Sequence, residues 1–295
     1  MASLALPSFG RDELEVLSEL MDEELFVDTD FGPAPASLGD GVAEVAEMGW
    51  MRMDEAMPDA SLFVDGELPG DLEAGSTSVD DVWFAGALAT VATRADLLLR
   101  LFVSVDNEES GMLSLRFFKH GAWRTVLIDT MLPCHGDGAP AFCKAASGVE
   151  LWPSVVLKGY AKLHGSYGRL HGGDAGEALV DLTGGAVTRE VLPKLTNGRE
   201  DDEPRLAQVW ALLKETEAEG GLLALEVAAR GAEGGDGLLG GRLYPLLECF
   251  EDARGLRLLR LRNPWGGAGW RSRLKVPSVL PEDRRTGPHP PPWKI

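Results

Sequence analysis

The residues of this chain able to do covalent or proton-transfer chemistry are few, and their spacing pairs none of them. Three thiols (Cys134, Cys143, Cys249) and five imidazoles (His120, His135, His164, His171, His289) are present. Cys134 and His135 are neighbours in sequence, and adjacent side chains on an extended segment point apart. Cys143 lies in a loop-like stretch, and Cys249 sits in a strand pattern that makes it a small buried hydrophobe. His164 and His171 belong to a predicted helix and turn, where hydrogen bonding within the fold is the default role. His120 falls in a hairpin turn and His289 in the tail. The cysteines offer neither an even disulfide framework nor a CxxC metal spacing. A reducing compartment, the cytoplasm, is expected. The best-positioned polar side chain is Asn263, which a β-run over residues 256–262 delivers to a Pro264-Trp265-Gly266 turn.

The elements that must position such groups are legible from periodicity. Apolar residues at helical spacing with acidic residues between predict an amphipathic helix over 11–25, folded on its own domain or held out for a partner. Residues 30–80, rich in Gly, Pro and Asp, predict extended loop. A strongly apolar helix is expected over 81–102, then two strands (113–118 and 125–128) forming a hairpin around Gly121. Helices are expected over 151–165, over 177–182 with a C-cap at Gly184-Gly185, and over 205–215. Strands follow over 222–227, 242–250 and 256–262. Helices first and strands later give an α/β (α+β) chain of two lobes. The divisions are an acidic N-terminal arm with loops (1–80), a helical lobe (81–190), a β-rich lobe (191–275) and a proline-rich extended tail (276–295).

The net charge of −19 is segregated. Residues 1–81 hold 21 of the 47 acidic and 2 of the 28 basic residues, so the remainder is balanced, with 26 of each. A segregated acidic field argues for a docking or solvated arm. A neutral body lacks the basic patch that nucleic-acid binding needs. No window of 18 apolar residues predicts a membrane span, and the first residues lack a secretory pattern.

Four stretches together carry a resemblance. They are Asp81-Val82-Trp83 with the apolar run after it, Glu150-Leu-Trp152 through Tyr160-Ala-Lys-Leu-His-Gly-Ser-Tyr167, Gly172-Gly173 through Glu177-Ala-Leu-Val-Asp-Leu-Thr-Gly-Gly185, and Asn263-Pro-Trp-Gly266. Residues 25–31 add a weaker match. In this order they resemble the protease core of the calpains, which are papain-like cysteine proteases, and they span most of residues 25–270. The resemblance implies a papain-like fold with a helical lobe and a β-rich lobe.

The same resemblance places a catalytic cysteine between the Asp and Trp of the first stretch, where this chain has Val82. It places the histidine base where this chain has Arg242, and the orienting asparagine at Asn263. The oxyanion-hole glutamine matches Ala74 or Ser76, neither of which makes the same hydrogen bond; such a loss costs roughly 3–4 kcal/mol. The triad positions Val82, Arg242 and Asn263 therefore read as degenerate. Calpain cores bind calcium in each lobe. In the first lobe the resemblance points to Asp71 (or Glu73 without a gap) and Glu150 as candidate ligands, against a solvated acidic loop as the plain alternative. In the second, Gly269 stands where the family has Glu, and Arg271 to Lys275 bring positive charge, so a site is not expected. Trp265 and Trp270 match tryptophans at the cleft between lobes, with core packing an equal reading. No other cofactor is implied.

The function expected from these residues is non-enzymatic: a calpain-like pseudoprotease serving as a structural subunit of a larger protein assembly, with other proteins as partners and neither nucleic acid nor membrane. Inactive calpain-like domains occur in cytoskeletal and ciliary proteins, which extends the expected setting to the cytoskeleton or axoneme. The alternatives are an active calcium-dependent cysteine endopeptidase and a calcium-responsive regulatory binding module.

Overall fold

The computed structural model describes residues 8–20, 24–40, 48–64, 72–73, 81–192, 203–227, 238–253 and 255–265. The expected extended tail (276–295) lies outside the described residues. Within residues 8–73 lie β1 (Ser8–Phe9), α1 (Glu13–Glu19), α2 (Pro35–Leu38), β2 (Gly49–Arg52), α3 (Met53–Ala56) and β3 (Leu72–Glu73). Then come α4 (Val82–Val91), α5 (Ala95–Leu99), β4 (Phe102–Ser104), β5 (Met112–Lys119), β6 (Ala122–Asp129), β7 (Met131–Cys134), β8 (Lys144–Ala145), α6 (Trp152–His164) and α7 (Ala175–Thr183). The remaining elements are α8 (Glu203–Ala218), β9 (Leu223–Val227), β10 (Arg242–Glu251) and β11 (Arg257–Leu261).

The hairpin expected around Gly121 is β5–β6. His120 and Gly121 both take positive φ (53° and 77°), the primed turn whose twist matches two facing strands. The hairpin is the middle of a four-stranded sheet in the order β1-β6-β5-β4, with β1 parallel to β6. A sheet of this size inside the first lobe exceeds the expected hairpin, because β1 and β4 are too short to show a period. In the expected loop over 30–80, β2 pairs antiparallel with β7 and β3 with β8, again in short runs.

α6 crosses one face of the sheet. It approaches closely at Gly159, where a Cβ would lie 2.5 Å from Leu115 Cδ1. Its buried face carries two lysines. Lys158 pairs with Asp129, both side chains fully buried, and also donates to the Asp129 and Met131 carbonyls at 3.1 and 2.5 Å. Lys162 donates to Asp28 at 2.6 Å and to the Leu127 carbonyl at 2.8 Å. A buried ammonium is tolerated only when paired and hydrogen-bonded, and both are. Asp28 belongs to the acidic quarter of the chain, so part of that quarter is built into the lobe. α1 also folds inward: Val16 packs with Phe26, Met112 and Leu127, while Leu14 is 77% exposed. Of the two readings for this helix, the one folded on its own domain is what forms.

The single helix expected over 81–102 is two helices, α4 and α5. At the break, Thr93 Oγ1 donates to the Thr90 carbonyl and Arg94 takes an extended conformation. A threonine that bonds its own backbone gives the chain an alternative to continuing the helix. α6 ends at Gly165 and α7 at Gly184, both left-handed caps, and Asp174 caps the start of α7 by accepting from Glu177 N.

In the second lobe the antiparallel sheet β11-β10-β9 rests on α8 through Trp210 and Leu213 against Tyr244, Leu246, Cys249 and Leu261. The mixture of helices and sheets accords with the α/β expectation. No helix of the described residues is long and apolar enough to cross a membrane.

Candidate active-site cleft

α4 and β10 meet where the lobes join. Gly86, one turn into α4, makes the contact: a Cβ there would lie 2.7 Å from Leu243 Cβ and 3.4 Å from Trp265 Cζ2. Trp265 in turn donates its Nε1 hydrogen to the Leu243 carbonyl at 3.2 Å. The structure thus gathers at one interface the helix that begins with Val82, the strand that begins with Arg242, and the turn that contains Asn263.

The amino end of α4 is held from several sides. Asp81 is buried, and its Oδ2 accepts from Cys143 N at 3.0 Å. Trp83 Nε1 donates to the Leu170 carbonyl at 2.8 Å. Gly173, of the Gly172-Gly173 pair, lies so close that a Cβ would sit 2.2 Å from the Trp83 ring, so this glycine is demanded by the tryptophan. Between these two anchors Val82 is half-buried and carries no donor, acceptor or nucleophile. A helix N-terminus favours negative charge, and an aliphatic side chain makes no use of it.

Opposite, the Arg242 guanidinium lies over the Trp265 ring, 5.1 Å from its centroid. A guanidinium stays protonated at neutral pH and is no general base. Asn263 Oδ1 accepts from Trp265 N at 3.1 Å, so the amide is spent on closing its own turn. That bond and the Arg242 stack are features periodicity does not reveal; the Pro264-Trp265 step after Asn263 was their only trace.

The three thiols are all buried, and none is hydrogen-bonded to an imidazole among the described residues. Burial pushes the Cys134 thiol up to about 11, and pushes Cys143, which also faces Asp81, well above the usual thiol range. Burial raises Cys249 too, with Glu217 acting in the same direction. All three shifts disfavour the thiolate. The His164 ring lies tilted by 43° against Tyr160, centroids 4.4 Å apart, and 3.9 Å from Asp181; His120 occupies the hairpin turn. His164 packs in the fold as expected, but its buried Nε2 makes no hydrogen bond among the described residues.

Ala74, Ser76, Asp71, Trp270 and His289 lie outside the described residues. Glu73 lies in β3, where its backbone faces Lys144 of β8; Glu150 is buried just before α6 and bridges to Ser61. Of the three candidate calcium ligands, only Glu150 has a described side chain. Among the described residues no three His, Cys, Asp or Glu side chains converge as a metal site would require.

A helical lobe and a β-rich lobe, with the amino end of a buried helix facing a strand across their junction, define the scaffold of a cysteine protease. The chain belongs to the calpain family: the family described as calpain family cysteine protease matches residues 26–278. It is 35% identical over 256 residues to the calpain-type cysteine protease DEK1 of Arabidopsis thaliana, covering 83% of this chain and 11% of that protein. It is 31% identical over 294 residues to Calpain-5 of Caenorhabditis elegans, covering 89% of this chain and 44% of that protein. With Calpain-5 of Mus musculus the identity is 30% over 247 residues, covering 75% and 38%. The chain therefore spans less than half the length of these relatives.

Proposed function

We propose that this calpain-family chain is a pseudoprotease: a protease scaffold that binds other proteins as a structural subunit of a larger assembly and cuts none. The observation that carries the reading is Val82, an aliphatic side chain at the first position of α4, flanked by the intact Asp81 and Trp83 anchors. Thiol proteolysis needs a thiolate at that place and a base to take its proton. Arg242 offers no base, and Asn263 has no imidazole to orient. Nucleophile, base and orienting group act as a unit, so the loss of either nucleophile or base alone already removes nearly all that the unit supplies. The cytoskeletal or ciliary setting implied by the family resemblance is where partners are to be sought.

A fluorogenic peptide assay, run with calcium and with a chelator, tests the reading. The native chain is expected to show no turnover in either condition, and Val82→Cys alone none, because Arg242 still cannot accept the thiol proton. Val82→Cys combined with Arg242→His is expected to gain turnover. Calcium-dependent cleavage by the native chain would instead make it an active cysteine endopeptidase. Calorimetry separates the remaining alternative: tight calcium binding without cleavage marks a calcium-responsive binding module.

A further inference from the structure

The β5–β6 hairpin has two faces, and one of them is only half covered. Alternation places Met112, Ser114, Arg116 and Phe118 of β5 on the same side as Trp123, Thr125 and Leu127 of β6. α1 covers one end of this face, through Val16 on Met112 and Leu127 and through Glu13, which accepts from Ser114 Oγ at 2.6 Å. Towards the turn, Gly184 at the end of α7 lies against the edges of the Trp123 and Phe118 rings, which stay partly exposed. There Phe118 and Trp123 meet edge to face with ring centroids 5.7 Å apart, and the Arg116 guanidinium lies over Trp123 at 5.1 Å. Arg116 Nε donates to the Arg100 carbonyl at 2.6 Å, which brings the exposed Arg100 alongside.

Two neighbouring cations here differ from the arginines that carry a counter-charge. Arg11, Arg94, Arg189, Arg205, Arg257 and Arg260 each pair with a carboxylate. Neither Arg100 nor Arg116 pairs with one among the described residues. Burial, and then the charge of Arg100, hold the Arg116 pKa below the usual guanidinium range. An arginine and two aromatics on a half-open sheet face have the composition of an interface hot spot. Like charges held together without an anion cost free energy that an incoming carboxylate removes.

We propose that this face docks an acidic polypeptide segment of a partner protein, its carboxylates meeting Arg100 and Arg116 and its other side chains lying on Phe118 and Trp123. Charge complementarity selects this occupant. Two neighbouring arginines match the carboxylates of such a segment, whereas a nucleic acid presents an unbroken run of phosphates that needs a broad basic surface.

A labelled decaglutamate peptide, titrated at low salt against the full chain by fluorescence anisotropy, tests this. Saturable binding that weakens as salt rises is expected. Arg100→Glu, at an exposed position where folding is not at stake, and Arg116→Gln are each expected to lower affinity by about tenfold. Arg257→Glu in the other lobe is expected to leave it unchanged. Absence of binding, or equal binding by the Arg100→Glu protein, overturns the proposal. So does equal or tighter binding of a labelled decathymidylate, which would make the face a general polyanion site. A dimer in sedimentation that Arg100→Glu dissolves would assign the face to a second copy and overturn it as well.

Discussion

The buried face of α6 and the amino end of α4 lie in the same lobe and follow opposite rules. On α6, Lys158 and Lys162 each keep a carboxylate and at least one backbone carbonyl, drawn from chain segments up to 134 residues away. At α4, Asp81 and Trp83 keep their backbone partners while the aliphatic side chain of Val82 between them has nothing to hydrogen-bond with. Residues that hold the fold are tied to several others at once, so exchanging one strands the rest. A residue whose only duty is a reaction has no such ties. It can be replaced by an aliphatic side chain while the fold around it persists.

The contrast is broken most severely by Asp129→Ala, which leaves Lys158 charged, buried and unpaired. A loss of about 3–5 kcal/mol is expected in urea denaturation. Removing both charges together, as Asp129→Leu with Lys158→Met, is expected to recover only part of that loss, since no buried charge is left but the Asp28 and Met131 N–H groups lose the carboxylate they donate to. Gly86→Val tests the junction of the lobes. The added side chain meets Leu243 and Trp265, and roughly 1–3 kcal/mol is expected, read as a lowered thermal midpoint.

Acid sharpens the comparison at Asp181, which receives Lys119 at 2.5 Å and the Tyr160 hydroxyl at 2.8 Å. Burial opposes its ionisation, but His164, Lys119 and Tyr160 outweigh burial and hold its pKa below 3.8. A carboxyl depressed on folding stabilises the chain above its unfolded pKa and ceases to do so as pH falls through the folded value. Stability should therefore decline below pH 3.8, and Asp181→Asn should flatten that decline in denaturation curves taken across the range. Asn263→Ala, which removes the bond from Trp265 N, is expected to cost about 1 kcal/mol. Val82→Ala should have the smallest effect, below about 1 kcal/mol, because the side chain is only half-buried and makes no hydrogen bond.

Long periodic segments and their caps were legible: α6 with Gly165, α7 with Gly184, and the hairpin at His120-Gly121 all follow from local pattern. What local pattern misses is long-range pairing. The β2–β7 and β3–β8 ladders join segments of two to four residues that have no period of their own. Lys158 and Lys162 are two charged residues on a helix, and nothing nearby in sequence announces that Asp129 and Asp28 bury them. The break between α4 and α5 depends on hydroxyl-to-backbone bonding that an apolar count cannot see. At the cleft, sequence placed Val82, Arg242 and Asn263 by motif; the use of Asn263 in its own turn and the stacking of Arg242 on Trp265 needed coordinates.

Thiol reactivity of the folded native chain tests the central claim most directly. Iodoacetamide at pH 7, followed by mass spectrometry, reads which of Cys134, Cys143 and Cys249 reacts and how fast. Burial raises all three pKa values, so each is expected to react more slowly than free cysteine until the chain is unfolded. One cysteine reacting faster than free thiol in the native state, with peptide cleavage lost in step, would contradict the account.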